Sequence, residues 1–422
     1  MKKIYYQLSF TQTSPLRIGS TDSERTDTDL MLDGRGMPFI PGSSIAGVLR
    51  SMVSEEEANR IFGMIKGDKL ENSHLIISDA ILTESADTLI TKRDGIGLNE
   101  WGVTKKGSKF DYEVSECKAP FVSVVEWNGT EESEIKECVE PLLKRLVTTG
   151  ISFGSRTTRG YGKMILSVKK KEFCYPDQLE EWLNFTPLVP GAFDNCDPLQ
   201  GSEVIDEHMF RIEAEIAIDG SFSVSKPTSK AEPIENGNSP DKIVLRNIHG
   251  LPVITGTAWA GTFRHHMLDL CRTLGIEESK VNSIFGLKNP DDNEYIRSKI
   301  RFEETAIKGG KAVVLTRNAV DRFTGSPRNK ALFTSEVSYG GTGKLVISLE
   351  ESNTSQIVKQ LLMATICDLH MGLVTVGGEN GVGRGRAHIK KLFINGQDKT
   401  SDLGLSCKDV NDGSSFHLGG LI

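Results

Sequence analysis

The chain has 422 residues, 38% of them hydrophobic and 25% charged, with a formal net charge of −7. That length exceeds one ordinary hydrophobic core and reads as two domains, and no apolar run approaches the ~18 residues a helical membrane span needs. The mild acidic excess leaves nucleic-acid binding open, because electrostatic recognition depends on where charge sits rather than on its sum.

The opening MKKIYYQLSF alternates polar and apolar residues and predicts a first strand rather than a signal peptide. A polar loop with Asp22, Asp27, Asp29 and Asp33 follows, then "GMPFIPGSS", then helical periodicity over "SSIAGVLRSMVSEEEANRIFG", with Ser43 and Ser44 placed as N-caps. Short strands come next, a second helix over "EIKECVEPLLKRLVTTG", and the glycine-rich turn "GSRTTRGYGK" running into a last strand. The stretch 171–207 is rich in proline, glycine and acids and reads as a linker. From 208 the order repeats: a strand "FRIEAEIAI", a helix "TAWAGTFRHHMLDLCRTLG" capped near Thr257, strands, a helix "SQIVKQLLMATICDLHMG" and the turn "GGENGVGRGR". Residues 399–422 read as a polar tail, leaving domains at 1–170 and 208–398.

The repetition is literal. At an offset of 214, eight of 24 positions are identical: Asp27/Asp241, Gly36/Gly250, Pro38/Pro252, Ile40/Ile254, Gly42/Gly256, Ala46/Ala260, Gly47/Gly261 and Arg50/Arg264. Four further blocks follow in the same order: "IFGMIKG" with "IFGLKNP", "LIISDAIL" with "IRFEETAI", "TKRDGIGLNEWG" with "LTRNAVDRFTG", and the two glycine-rich turns. The third of these places Arg93 on Arg317. This is a tandem duplication of ~200-residue units, each predicted as an α+β fold of ferredoxin-like or RNA-recognition-motif topology.

The chemistry these motifs allow is limited and specific. "PGSS" entering a helix offers backbone N–H groups and hydroxyls to an anion such as a phosphate, or is an ordinary helix start. The glycine-rich turns let a backbone approach a ligand closely, with Arg156, Arg159, Arg384 and Arg386 supplying charge, or are tight turns with solvated arginines. No GxxxxGK[ST] spacing occurs, so a nucleotide P-loop is not expected. Of the four loop acids only Asp27 keeps an acid counterpart, Asp241; Asp33 pairs with Asn247 and Asp29 with Ile243. A retained aspartate in a basic groove can bind a divalent metal or take a proton from a 2′-hydroxyl. His249, His265 and His266 face Arg35, Ser51 and Met52 in the first copy and read as incidental. Seven cysteines (Cys117, Cys138, Cys174, Cys196, Cys271, Cys367 and Cys407) lack CxxC spacing, so no structural zinc is expected and a reducing cytoplasm suits them.

Together, "RIGSTDSERTDTDLMLDGRGMPFIPGSSIAGVLR", the "FG" after the helix, "RNAVDRFTG…ALFTSEV" and "GSRTTRGYGK" resemble the RAMP superfamily of CRISPR proteins. Within it, the resemblance is to the repeated backbone subunits of type III effector complexes. It implies modified RNA-recognition-motif cores stacked along a CRISPR guide RNA, with other RAMP-family and large subunits as partners and no membrane. It also implies a thumb hairpin per unit that displaces a base pair of the guide–target duplex, near Arg93–Glu116 with Trp101 and Phe110, and near Arg317–Glu336 with Phe323 and Phe333. Cleavage of complementary target RNA is then implied at Asp27 and Asp241, with magnesium or manganese, and with Asp29 and Asp33 as open helpers. The residues implied to touch RNA are Arg17, Gly42, Ser43, Ser44, Arg50, Arg93, Arg156 and Arg159 in the first unit. In the second they are Gly256, Thr257, Arg264, Arg317, Arg322, Arg384 and Arg386. Three departures stand out: two units share one chain, as in the fused subunits of type III-D complexes; "PGSS" becomes "TGTA"; and Glu379 replaces Arg156. The competing reading is a non-catalytic guide-RNA scaffold in which the aspartates only shape the loop.

Overall fold

The computed structural model describes residues 2–20, 26–66, 69–82, 87–99, 104–129, 132–202, 209–227, 240–288, 295–352 and 354–403. The chain forms two compact units, the first from residues 1–98, 104–157 and 161–205, the second from residues 206–422 together with 99–103 and 158–160. Residues 404–422 of the expected tail, Asp22 and Trp101 lie outside the described residues.

In the first unit the elements run β1 (Lys2–Gln12), α1 (Gly42–Arg50), α2 (Glu55–Phe62), β2 (Leu75–Ile77), β3 (Thr88–Leu98), β4 (Thr104–Cys117), β5 (Phe121–Trp127), α3 (Glu140–Thr149) and β6 (Lys163–Cys174). β1 lies at the centre of an antiparallel sheet, between β6 and β5, with β2 beyond β5. Its alternation decides the faces: Tyr6, Leu8 and Phe10 are fully buried and pack with Ile45, Leu49, Ile61, Leu143 and Leu146 of the helices. Burying each such side chain contributes roughly 1.5–3 kcal/mol.

The helix expected over 43–63 is two helices. Ser54 starts the second through a capping box, its hydroxyl accepting from the Glu57 N–H at 3.3 Å while the Glu57 carboxylate accepts from the Ser54 N–H at 3.0 Å. The N-cap of α1 is Pro41, so Ser43 and Ser44 lie within its first turn rather than at its cap.

Much of the stretch read as a linker belongs to this unit. β6 runs into it as far as Cys174, and the short helix α4 (Leu179–Leu183) follows. Trp182, Phe185 and Phe193 then cover the outer sheet face against Tyr5, Val124 and Phe173. The Trp182 indole donates to the Tyr5 hydroxyl at 2.9 Å. Its aromatics outweigh the proline and glycine content, because Tyr5 and Phe173 would otherwise leave apolar surface in water.

The second unit repeats the plan: β7 (Met209–Asp219), α5 (Gly256–Leu274), α6 (Glu278–Phe285), β8 (Ile300–Phe302), β9 (Lys311–Val320), β10 (Pro327–Tyr339), β11 (Thr342–Glu350), α7 (Gln356–His370) and β12 (Arg386–Ile394). β7 is central between β12 and β11, with β8 beyond β11, all antiparallel. In α5 the buried Trp259, Phe263, Met267 and Cys271 recur every fourth residue and form the stripe that meets the sheet. Thr255, not Thr257, caps it, accepting from the Ala258 N–H at 3.2 Å. Each unit is thus α+β with an antiparallel sheet, and each carries a long hairpin, β3–β4 or β9–β10.

Candidate nucleic-acid interface

The loop before α1 is organised by its acids. Asp33 closes a tight turn, accepting from the N–H groups of Arg35 at 2.8 Å and Met37 at 2.9 Å and pairing with the Arg35 guanidinium. Partial desolvation would raise its carboxyl, but these donors outweigh it and hold the group below its usual range. Asn247 makes the same turn, accepting from His249 at 3.1 Å and Leu251 at 3.0 Å. An amide oxygen serves as well as a carboxylate here, which explains the Asp-to-Asn change. Asp29 is buried and accepts from the N–H and hydroxyl of Thr26, both at 2.8 Å. Asp29 and Asp33 therefore shape the loop.

Asp27 and Asp241 reach the hairpins. The Asp111 N–H of β4 donates to the Asp27 carboxylate at 2.8 Å, and the Asp27 N–H donates back to the Asp111 carboxylate at 2.9 Å. In the second unit the Thr334 N–H of β10 donates to Asp241 at 3.0 Å. Two residues along each strand, Glu113 accepts from the Leu30 N–H at 3.1 Å and Glu336 from the Val244 N–H at 2.9 Å. The loop and the thumb are thus stitched at the same two points in both units. Reading the sequence missed Asp111, Glu113, Thr334 and Glu336, although "FDYEVS" and "FTSEVS" share F-x-x-E-V-S at an offset of 223.

The hairpins are longer than the expected thumbs and differ in register. Arg93 lies opposite Tyr112, whereas Arg317 lies opposite Phe333, the counterpart of Phe110. Aligning Arg93 on Arg317 is therefore two residues out. A two-residue shift keeps both side chains on one face of the hairpin. The second thumb exposes Phe323 (85%), Leu332 (67%) and Phe333 (55%), with Arg322 beside Phe323, its guanidinium carbon 5.1 Å from the ring centre.

Both arginines point to the glycine-rich turns. A Cβ on Gly162 would lie 1.8 Å from the Phe153 carbonyl, and one on Gly385 2.1 Å from that of Val376, so only glycine fits. Beside these glycines, one left-handed position of each turn is held by a non-glycine residue, Arg156 (φ 60) or Glu379 (φ 62). The Arg156 guanidinium lies 4.7 Å from the Phe110 ring and 4.5 Å from the Tyr112 ring; that of Arg17 lies 4.9 Å from Tyr112. Arg93 is buried, donating to the Tyr161 hydroxyl at 3.3 Å and pairing with Glu116 at 3.5 Å. In the second unit Glu379 instead pairs with Arg317 at 2.7 Å and with the buried Arg384 at 2.6 Å. The Arg-to-Glu change between the turns is thus matched by a change in what surrounds them.

The helix starts are tightly seated. The Gly42 N–H donates to Asp79 at 2.7 Å, and a Cβ on Gly42 would lie 2.4 Å from the Ile77 carbonyl. On Gly256 it would lie 2.4 Å from the Phe302 carbonyl. Ser43 is exposed and Ser44 half-buried, while the Thr257 hydroxyl bonds that of Thr255 at 2.9 Å. Arg50 and Arg264 are engaged internally: Arg50 donates to Asn59 at 2.7 Å and the Gly63 carbonyl at 2.6 Å, and Arg264 to Asn282 at 2.9 Å. These identical arginines tie one helix to the next. Arg159 sits half-buried in the single turn Thr157–Arg159, and Arg386 is exposed, donating to the Gly372 carbonyl at 3.3 Å.

For a divalent cation the donor set is sparse. Among the described residues no group of three or more His, Cys, Asp or Glu side chains forms a ligand cluster. Asp27 with Asp111 supplies two carboxylates, and Asp241 one. The Asp111 carboxylate is already occupied by the Lys92 ammonium and the Asp27 N–H, so the set is far short of an all-protein cage. The histidines lie apart: His266 bonds Asp368 at 2.6 Å between α5 and α7, and the His249 N–H serves the Asn247 turn.

A duplicated α+β unit with a thumb hairpin stitched to an acidic loop and a glycine-rich turn defines a tandem protein of one repeated architecture. The RAMP superfamily profile matches residues 9–165 and 185–388, and the chain belongs to that superfamily. No curated protein matches it. A solved structure described as "Cryo-EM structure of the Type III-B Cmr-beta bound to cognate target RNA" is similar at 20% identity and a TM-score of 0.32, over 41% of this chain and 61% of that one. The chain therefore spans less than two thirds of that relative. Among the described residues no helix is long and apolar enough to cross a membrane.

Proposed function

We propose that the chain is a fused pair of backbone subunits of a type III CRISPR effector complex, working in the cytoplasm with other RAMP-family and large subunits. It grips guide RNA by its backbone and cleaves complementary target RNA at Asp27 and Asp241. The strand orders β2-β5-β1-β6 and β8-β11-β7-β12, with the first strand inside the sheet beside the last, support a modified ferredoxin-like core in each unit. One observation carries the catalytic reading: in both units the retained aspartate accepts from a backbone N–H of the thumb strand, so acid and hairpin are held together.

The reaction needs little from the protein. RNA carries its own nucleophile, the 2′-hydroxyl, and A-form stacking forbids in-line alignment with the leaving 5′-oxygen. A hairpin that turns a nucleotide out of the stack relaxes that constraint. An aspartate at its base, with one oxygen held by the strand, then has its other oxygen available to take the 2′-hydroxyl proton. Magnesium or manganese, held by Asp27 or by Asp241, would supply charge stabilisation at the phosphate.

The second reading, a non-catalytic scaffold, is favoured by the bonds that Asp27 and Asp241 already make, which suffice as loop supports. The deciding experiment assembles the complex on a guide and presents a labelled complementary RNA with magnesium or manganese. Asp27→Ala should remove one cut and Asp241→Ala another, with guide binding retained. Unchanged cutting by the double variant would leave only the scaffold.

A further inference from the structure

We propose that Arg17 and Arg156, gathered around Tyr112, form a phosphate clamp in the first unit that the second unit lacks, so that the backbone of a nucleic acid is gripped at one glycine-rich turn of the two. The clamp rests on the RNA-binding reading above only for the source of the phosphate.

Two guanidiniums lie within reach of one ring, 4.9 Å and 4.5 Å from its centre, and neither is paired with a carboxylate among the described residues. Arg17 donates to the Ser155 hydroxyl at 2.8 Å, which fixes it at the turn, while its buried Nε has no partner. Burial, and then the charge of Arg156, push the Arg17 guanidinium below its usual pKa. Arg156 is held at φ 60, where glycine would rest more easily. A strained cation kept against its neighbour's repulsion is accounted for by a ligand of opposite charge.

The second unit has removed every part of this arrangement. Ser223 stands where Arg17 does, since the Ser155 N–H donates to the Arg17 carbonyl at 2.8 Å and the Gly378 N–H to that of Ser223 at 2.7 Å. Ser335 replaces Tyr112, and Glu379 replaces Arg156. The Glu379 carboxylate neutralises Arg317 and Arg384 from within. An incoming phosphate would meet a carboxylate already holding both cations.

The test uses the 422-residue chain. Affinity for a mixed-sequence single-stranded RNA is measured across a salt series for wild type, Arg156→Gly, Arg156→Glu and Lys390→Glu. Glycine relieves the left-handed backbone, and glutamate occupies the equivalent position in the second unit, so both should fold, as melting curves will verify. For single strands the log–log salt slope changes by about 0.7 for each phosphate contact. Both Arg156 variants should lower the slope by roughly 0.7 to 1.4 and weaken binding about fivefold or more. Lys390→Glu, the same charge change on an exposed strand residue of the second unit, should leave the slope unchanged. Equal slopes in wild type and both Arg156 variants, or an equal fall for Lys390→Glu, would overturn the clamp. If wild type binds no RNA, the function proposed above fails, and inorganic pyrophosphate becomes the probe. A rise in melting temperature in wild type but not in Arg156→Glu then supports an anion clamp, and no rise in wild type refutes it.

Discussion

Asp241 and Thr334 are bonded to each other twice. The Asp241 N–H donates to the Thr334 carbonyl at 2.8 Å, and the Thr334 N–H donates to the Asp241 carboxylate at 3.0 Å. The first bond needs only backbone, whereas the second needs an acceptor at Oδ2 but not a charge. Structural and chemical roles can therefore be separated. Asp241→Asn should retain protection of the Thr334 amide from hydrogen exchange, while Asp241→Ala should speed it about tenfold, a loss near 1.4 kcal/mol. If Asp241 acts as a base, both variants lose its cut. Wild-type cutting by Asp241→Asn would reduce the aspartate to a loop support.

Glu336 gives a pH test of the second thumb. Partial desolvation would raise its carboxyl, but the Arg246 guanidinium, at 2.7 and 3.0 Å, and the Val244 N–H hold it below its ordinary value. A group with a lowered folded pKa contributes stability above its unfolded pKa, and that contribution disappears as pH falls through the folded value. Glu336→Gln should thus cost about 1–3 kcal/mol at pH 7 and progressively less as the solution becomes acidic. Denaturant melts across the pH range provide the check; a cost independent of pH would contradict the ion-pair account.

Gly162 and Gly385 are placed against carbonyls at distances no Cβ can share, with φ 72 and 82. Replacing either by alanine should destabilise its unit by about 2 kcal/mol or more and lower the melting temperature accordingly. Gly36→Ala, at φ 77 but with open space around it, should cost less, about 1 kcal/mol.

Arg264 donates to Asn282 across two helices, as Arg50 does to Asn59. Arg264→Ala should cost about 1 kcal/mol of stability without changing the salt slope of RNA binding. A fall in that slope at a temperature where the variant is folded would give the arginine a phosphate instead.

Phe323 is 85% exposed at the tip of the second hairpin. Phe323→Ala should therefore alter stability by no more than about 0.5 kcal/mol. If the hairpin wedges into a guide–target duplex, the same change should dim the fluorescence of a 2-aminopurine at the displaced position, since stacking on the ring is worth roughly 1–3 kcal/mol. An unchanged signal would take Phe323 out of the wedge.

The hairpins came only with the family resemblance, whereas the duplication, the strands, the glycine-rich turns and the pairing of Asp27 with Asp241 were legible along the chain. Each depends on spacing or on short-range geometry: alternation for strands, a glycine where φ is positive, one retained acid in a fixed register. The partners of the charged residues were not legible. Arg50 and Arg264 look like available cations until Asn59 and Asn282 are brought to them by the packing of the next helix. Arg93 and Arg317 look equivalent until the hairpin registers separate them by two residues. The stretch after β6 looks like a linker until Trp182 meets Tyr5 across the sheet. A charge can be counted from its letter alone, but whether it is spent inside the fold or left for a ligand is settled by desolvation and by neighbours that only chain folding brings together.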